Sequence, residues 1–217
     1  MWKAKAAKIL PLVLAAYPKY RWLFVTLTVR NCQVDELRST ISHMNKSFER
    51  LSNLKAFPAD GFLRTVEVTR SKDSTAHPHF HILMMVKSSY FGADYLSLEK
   101  WKSMWQKSLR IDYSPEIDVK ALKDKGVNFS AMLSEVIKYQ VKESDLIKDR
   151  DWFIELTNQL YKTKAISSGG ILKEYLKELE SEPDDLIGEG EVENEEELAH
   201  LFFGWMQYYK QYRQVDI

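Results

Sequence analysis

Residues 77–86 read HPHFHILMMV, and residues 62–69 read FLRTVEVT. Both are short runs of β-branched, aromatic and aliphatic residues, so each predicts a strand. The polar stretch 70–76 between them predicts the turn of an antiparallel hairpin. If that hairpin is symmetric about Asp73, Glu67 and His79 both stand six residues from the tip and face each other. Alternate side chains of a strand share a face, so His77, His79 and His81 project together while Phe80 and Ile82 project into a core. Opposed residues of an antiparallel pair also share a face, which brings Glu67 to the imidazoles. Glu67 lies between Val66 and Val68, where a carboxylate without a partner is costly.

Outward from the hairpin, residues 21–30 (RWLFVTLTVR) predict another strand, with Phe24, Thr26 and Thr28 on one face. Residues 117–122 predict a fourth. Residues 2–17 predict a helix interrupted near Pro11. Residues 35–54, 96–109, 128–143 and 151–161 carry apolar stripes at helical spacing. Strands and helices interleave around at least one hairpin. The expected class is therefore α+β, a central antiparallel sheet with flanking helices.

The chain has 217 residues, with 31 Lys and Arg balanced by 31 Asp and Glu. The balance conceals an asymmetry. Residues 178–197 hold 11 carboxylates and no Lys or Arg. Without them the rest has 31 basic against 20 acidic residues, a net of +11, which suits a polyanionic partner. The expected organisation is a domain over 1–177, an acidic linker over 178–197, and an amphipathic C-terminal helix over 198–217. That helix would carry Leu198, Leu201, Phe202, Trp205 and Tyr212 as its stripe. Cys32 is the single cysteine, which excludes an internal disulfide and a Cys₂His₂ zinc site. No apolar run reaches the ~20 residues of a membrane span, and no secretory cleavage site is evident, so a cytoplasmic protein without a membrane partner is expected.

Two imidazoles and a carboxylate, Glu67, His79 and His81, form a candidate metal site with coordination positions left open. Nitrogen and oxygen donors without thiolate fit Mn²⁺ or Mg²⁺ at a phosphate site. His77 stays open between metal ligand, DNA contact and orienter. On the helix predicted over 128–143, Glu135, Tyr139 and Lys142 fall at i, i+4 and i+7, one face, with Leu133, Val136, Ile137 and Val141 around the other.

At this point the sequence resembles a known family. His79-Phe80-His81 followed by Ile82-Leu83-Met84 matches the HUH motif, two histidines around a hydrophobic residue. The longer string HPHFHIL is similar to that of bacterial plasmid rolling-circle replication initiators. Residues 24–28 (FVTLT) resemble the first motif of that group, Glu67 stands at its acidic ligand, and Tyr139 with Lys142 match its Tyr-x-x-Lys motif. The resemblance covers roughly residues 20–175. It implies an HUH endonuclease with an RRM-like core, in which a tyrosine nicks one origin strand and is left joined to a 5′-phosphate while the free 3′-OH primes replication. Tyr139 is then the nucleophile, with Tyr161 and Tyr90 as alternatives. Lys142 favours the phenolate, and Glu135 is the candidate base for a second transfer.

The expected partner is single-stranded or hairpin origin DNA; candidate protein partners are a second copy of the chain and a host helicase or polymerase. Arg64, Arg70, Lys72 and Lys138 are the candidate DNA contacts. Lys102, Trp101 and Trp105 are further candidates, with core packing favoured for the two tryptophans. Competing readings are a conjugative relaxase or an HUH transposase with the same chemistry, and a non-catalytic DNA-binding module.

Overall fold

The strand predicted over 62–69 extends to Ala59–Arg70 (β2), and its partner to Ala76–Val86 (β3). The computed structural model describes residues 2–122, 149–181, 203–206 and 211–214. Within these, Trp2–Ala16 is α1, Arg21–Thr28 is β1, Leu37–Ser52 is α2, Leu98–Leu109 is α3 and Ile117–Leu122 is β4. Arg150–Leu160 is α4, Ile166–Gly170 is β5 and Ile171–Ser181 is α5. The five strands form one antiparallel sheet in the order β4-β1-β3-β2-β5. This is the expected α+β architecture.

Strand alternation sorts the core into two layers. One sheet face sends Val25, Leu27, Val66, Val68, Phe80, Ile82 and Met84 against α2, α3 and α4. Those helices answer with Ile41, Met44, Phe48 and Leu51, with Trp101, Trp105 and Leu109, and with Trp152 and Leu156. The other face sends Trp22, Phe24, Leu63, Leu83 and Met85 against α1 and α5, which contribute Ile9, Leu10, Val13, Leu172 and Leu176. A strand buried on both faces reads as a continuous apolar run, which is why ILMMV shows no alternation. Trp101 and Trp105 are fully buried, and their indole N–H groups donate to the Tyr90 hydroxyl and the Thr28 carbonyl at 3.0 and 2.8 Å.

Three expectations are corrected. The first helix runs through Pro11 instead of breaking there. Burial of Ile9, Leu10 and Val13 on the sheet offsets the hydrogen bond that a proline omits. The expected C-terminal helix is replaced by two antiparallel strands, Phe203–Met206 (β6) and Gln211–Gln214 (β7), with Trp205 opposite Tyr212. Aromatic residues favour strands, and Gly204 weakens a helix interior, so the apolar spacing was read with the wrong period. These strands belong to a unit over 182–217, separate from the unit over 1–181.

The third correction concerns Arg64. It lies opposite Ile82 on the α2 face, only 7% exposed, with its guanidinium carbon 4.6 and 4.2 Å from the ring centres of Phe48 and Phe80. It donates to Asn45 Oδ1 at 2.7 Å and Ser167 Oγ at 3.0 Å. Burial pushes its pKa down to about 10. Arg64 is thus a core element rather than a phosphate contact. Arg64→Ala is expected to lower stability by roughly 3 kcal/mol, from lost cation–π and hydrogen-bond contacts, while leaving DNA affinity intact. Urea melts and binding isotherms on the same variant check both halves.

Candidate metal centre and its surroundings

Hairpin register decides the site. Glu67 pairs with His79, Thr65 with His81 and Thr69 with His77, as symmetry about Asp73 requires. On β1, Thr26 stands opposite His81 and Thr28 opposite His79. These residues occupy the end of the second face beyond Phe24 and Leu83. The Phe24 ring stacks on the His81 imidazole at 5.3 Å and 27°, fixing its plane.

The ligand atoms of Glu67, His79 and His81 lie within 4.8 Å of one another, and all three residues are buried. Glu67 Oε2 is 2.8 Å from His81 Nε2 and 3.3 Å from His79 Nε2. The outer nitrogens are also engaged. His79 Nδ1 faces the His77 carbonyl at 3.2 Å, and His81 Nδ1 faces Thr26 Oγ1 at 3.2 Å. A carbonyl can only accept, so His79 Nδ1 carries the proton in the neutral ring. Its Nε2 then turns a lone pair toward a carboxylate oxygen, an encounter that calls for a cation. The Thr26 hydroxyl can accept or donate, so His81 can free its Nε2 in the same way. With their Nε2 atoms protonated instead, His79 and His81 donate hydrogen bonds that hold the Glu67 carboxyl well below the usual range, outweighing the burial that would raise it. The donor set therefore fits a divalent ion, with the carboxylate ionised and the imidazoles oriented from behind.

His77 is half-buried beside His79, and its Nδ1 lies 2.6 Å from Asn31 Oδ1. The Asn31 amide donates to Ser71 Oγ and Thr75 Oγ1, which fixes which of its ends meets the imidazole. Neither Asn31 nor Thr26 was named as a site residue from sequence. Thr26 had a signal, since it shares a face with Phe24 and Thr28. Asn31 had none, because its contact spans 46 positions.

Arg70 is the last residue of β2. It lies on the face opposite the metal cluster, forms a 2.7 Å ion pair with Asp149, donates to Ser74 Oγ and sits over the Trp152 ring. Asp149 caps α4 by accepting from the Trp152 backbone N–H at 3.1 Å. Arg70 thus ties the start of α4 to the hairpin tip. Its bond to Trp152, reinforced by Arg70, lowers the Asp149 pKa from 3.8. The stability that Asp149 supplies is present above that value and is lost as pH falls through the lower folded one. Asp149→Asn keeps a capping oxygen but cannot titrate. Its acid unfolding curve is expected to be flatter below pH 3.8 than that of the parent, as circular dichroism would record. Lys72 is exposed in the turn. Glu135, Lys138, Tyr139 and Lys142 lie within 123–148, outside the described residues.

Among the described residues, no helix is long and apolar enough to cross a membrane. A family described as replication protein matches residues 1–213. The chain is 42% identical over 170 residues to a "Protein rep" of Streptococcus pneumoniae, covering 75% of this chain and 53% of that one. It is 33% identical over 216 residues to a "Protein rep" of Bacillus amyloliquefaciens, covering 87% and 63%. A "Replication protein" of Staphylococcus aureus is 31% identical over 210 residues, with 89% of each covered. The chain thus spans about half to two thirds of the length of the first two of these relatives. No solved structure matches it. A buried Glu-His-His cluster on a five-stranded antiparallel sheet, within a match covering nearly the whole sequence, places this chain in the replication protein family.

Proposed function

We propose that the chain nicks one strand of a plasmid origin and stays joined to its 5′ end, which starts rolling-circle replication. The observation that carries this reading is the convergence of Glu67, His79 and His81 on one point of the sheet. Those three residues would hold Mn²⁺ or Mg²⁺, which when bound polarises the scissile phosphate and offsets charge that develops there. Tyr139 supplies the nucleophile. Its phenol oxygen bonds to phosphorus, the bond from phosphorus to O3′ breaks, and the phenol proton ends on the departing 3′-oxygen. A free phenol has a pKa near about 10, so the ammonium of Lys142, one turn along the same predicted face, favours the reactive phenolate. Glu135, one turn before Tyr139, serves as the base that activates a water or a 3′-OH for the closing transfer. Lys72 and Lys138 contact phosphates of the bound strand.

The test is direct. Protein incubated with Mn²⁺ and single-stranded DNA covering the origin of its own replicon should give a protein–DNA adduct that survives denaturation. Excess chelator should prevent the adduct without unfolding the protein. An adduct formed equally well in chelator would contradict the metal, and DNA bound but never joined would leave only a binding module.

A further inference from the structure

Helices α2 and α3 pack on the sheet face opposite Glu67, His79 and His81. Between the C-terminal end of α2 and the length of α3 lies a groove of about 540 Å³. Arg50, Lys100, Lys107 and Arg110 line it, together with Leu54 and Met104, and among the described residues no carboxylate does. The neighbouring cavity, which shares Lys100, differs in this respect, because Asp60 and Asp94 line it as well.

Lys100, Lys107 and Arg110 are exposed and form no ion pair among the described residues. Arg50 is the fixed member. Its Nε donates to the Ser108 carbonyl and a terminal nitrogen donates to Ser47 Oγ, both at 2.8 Å. A guanidinium has five N–H groups, so others remain for a ligand.

Arg110 provides an independent sign. It ends α3 in the left-handed conformation, φ 58° and ψ 45°, at a position where glycine is the least strained choice. The chain keeps a side chain there despite that strain, and the side chain is a cation on the groove.

The lining also selects among polyanions. Channels for single strands combine cations with aromatic rings on which bases stack. This groove offers cations and no ring among its described lining residues. Phosphates meet such a surface without base readout. We propose that this groove holds the phosphate backbone of double-stranded DNA next to the cut site, independently of sequence. The choice of DNA as polyanion rests on the nicking reading above. The groove's position on the opposite sheet face assigns it to a part of the substrate other than the strand being cut.

The test uses the full chain with Lys100→Gln, Lys107→Gln and Arg110→Gln combined. Affinity for a blunt, labelled duplex of arbitrary sequence is measured across a salt titration in EDTA. No cleavage occurs under these conditions, so the result does not depend on whether Tyr139 forms an adduct. Loss of three phosphate contacts should make the slope of log affinity against log salt shallower by roughly 2 to 3. Low-salt affinity should fall at least about tenfold, with a smaller loss on a single strand of equal length. An unchanged slope would overturn the assignment. So would an equal loss on the single strand, which would make the groove part of the cleaved strand's path. Arg110→Gly separates charge from folding, since it removes a cation and relieves the backbone. It should raise the melting temperature while weakening duplex binding; a raised melting temperature with unchanged binding would contradict the proposal.

Discussion

Tyr139→Phe is expected to abolish the covalent protein–DNA adduct while leaving the protein folded and its DNA affinity unchanged. The substitution deletes one oxygen and keeps the ring, so packing and net charge at neutral pH are preserved. Removing the attacking atom leaves no group to form the phosphate ester, and the expected loss of nicking is on the order of 10⁴-fold or more. The competing tyrosines make this informative. Tyr90 is 3% exposed and its hydroxyl accepts from the Trp101 indole at 3.0 Å, so a phosphate cannot reach it without unpacking the core. Tyr161 follows α4 and is 65% exposed, which makes it the accessible one of these two alternatives. Tyr161→Phe should therefore retain the adduct. Gel analysis of denatured reactions with labelled origin strand reads both variants.

Glu67→Gln is expected to carry the second largest effect. The amide matches the carboxylate in size, and its NH₂ can donate to the His79 lone pair, so the fold should persist with melting behaviour close to the parent's. What disappears is the only charged ligand of the cluster. Mn²⁺ affinity should fall by more than about a hundredfold, beyond the effect of losing an outer hydrogen bond. Nicking should fall on the order of 10³-fold, the scale of removing one electrostatic stabiliser of a transition state. Titration calorimetry with Mn²⁺ and rate measurement at saturating metal separate weaker binding from weaker chemistry. A variant that nicks at the parent's rate would remove Glu67 from the site.

Much of this site was legible because a hairpin leaves little freedom. The turn around Asp73 sets the register, and the register places Glu67 against His79 with no further information. The helices over 37–52 and 98–109 were legible from stripes such as Trp101, Met104 and Trp105, whose burial needs one face only. Arg64 and Arg70 were also legible, and Arg64 was read wrongly. Each stands three residues from Glu67 on one strand, so alternation puts both on the opposite face, with Val66 and Val68. A parity count would have removed both from the neighbourhood of the metal cluster. β5 was hidden for a different reason. Its sequence, ISSGG, has little strand preference, and its glycines answer to neighbours on β2. A Cβ at Gly169 would strike the Phe62 ring, and Gly170 has φ +54° beside the Asp60 carbonyl. Such requirements come from another strand and leave no local pattern. The aromatic run at 202–212 misled because Leu198, Leu201, Phe202 and Trp205 satisfy a helical period by coincidence, whereas pairing between β6 and β7 decides the outcome.

Mass spectrometry of the peptide joined to DNA tests the central claim most directly. Protein reacted with Mn²⁺ and single-stranded origin DNA is digested with protease and nuclease, and the modified peptide is fragmented. A single phosphonucleotide on Tyr139, attached through the 5′-phosphate, is the expected product. The same mass on Tyr161, on a serine, or attached through a 3′-phosphate would contradict it.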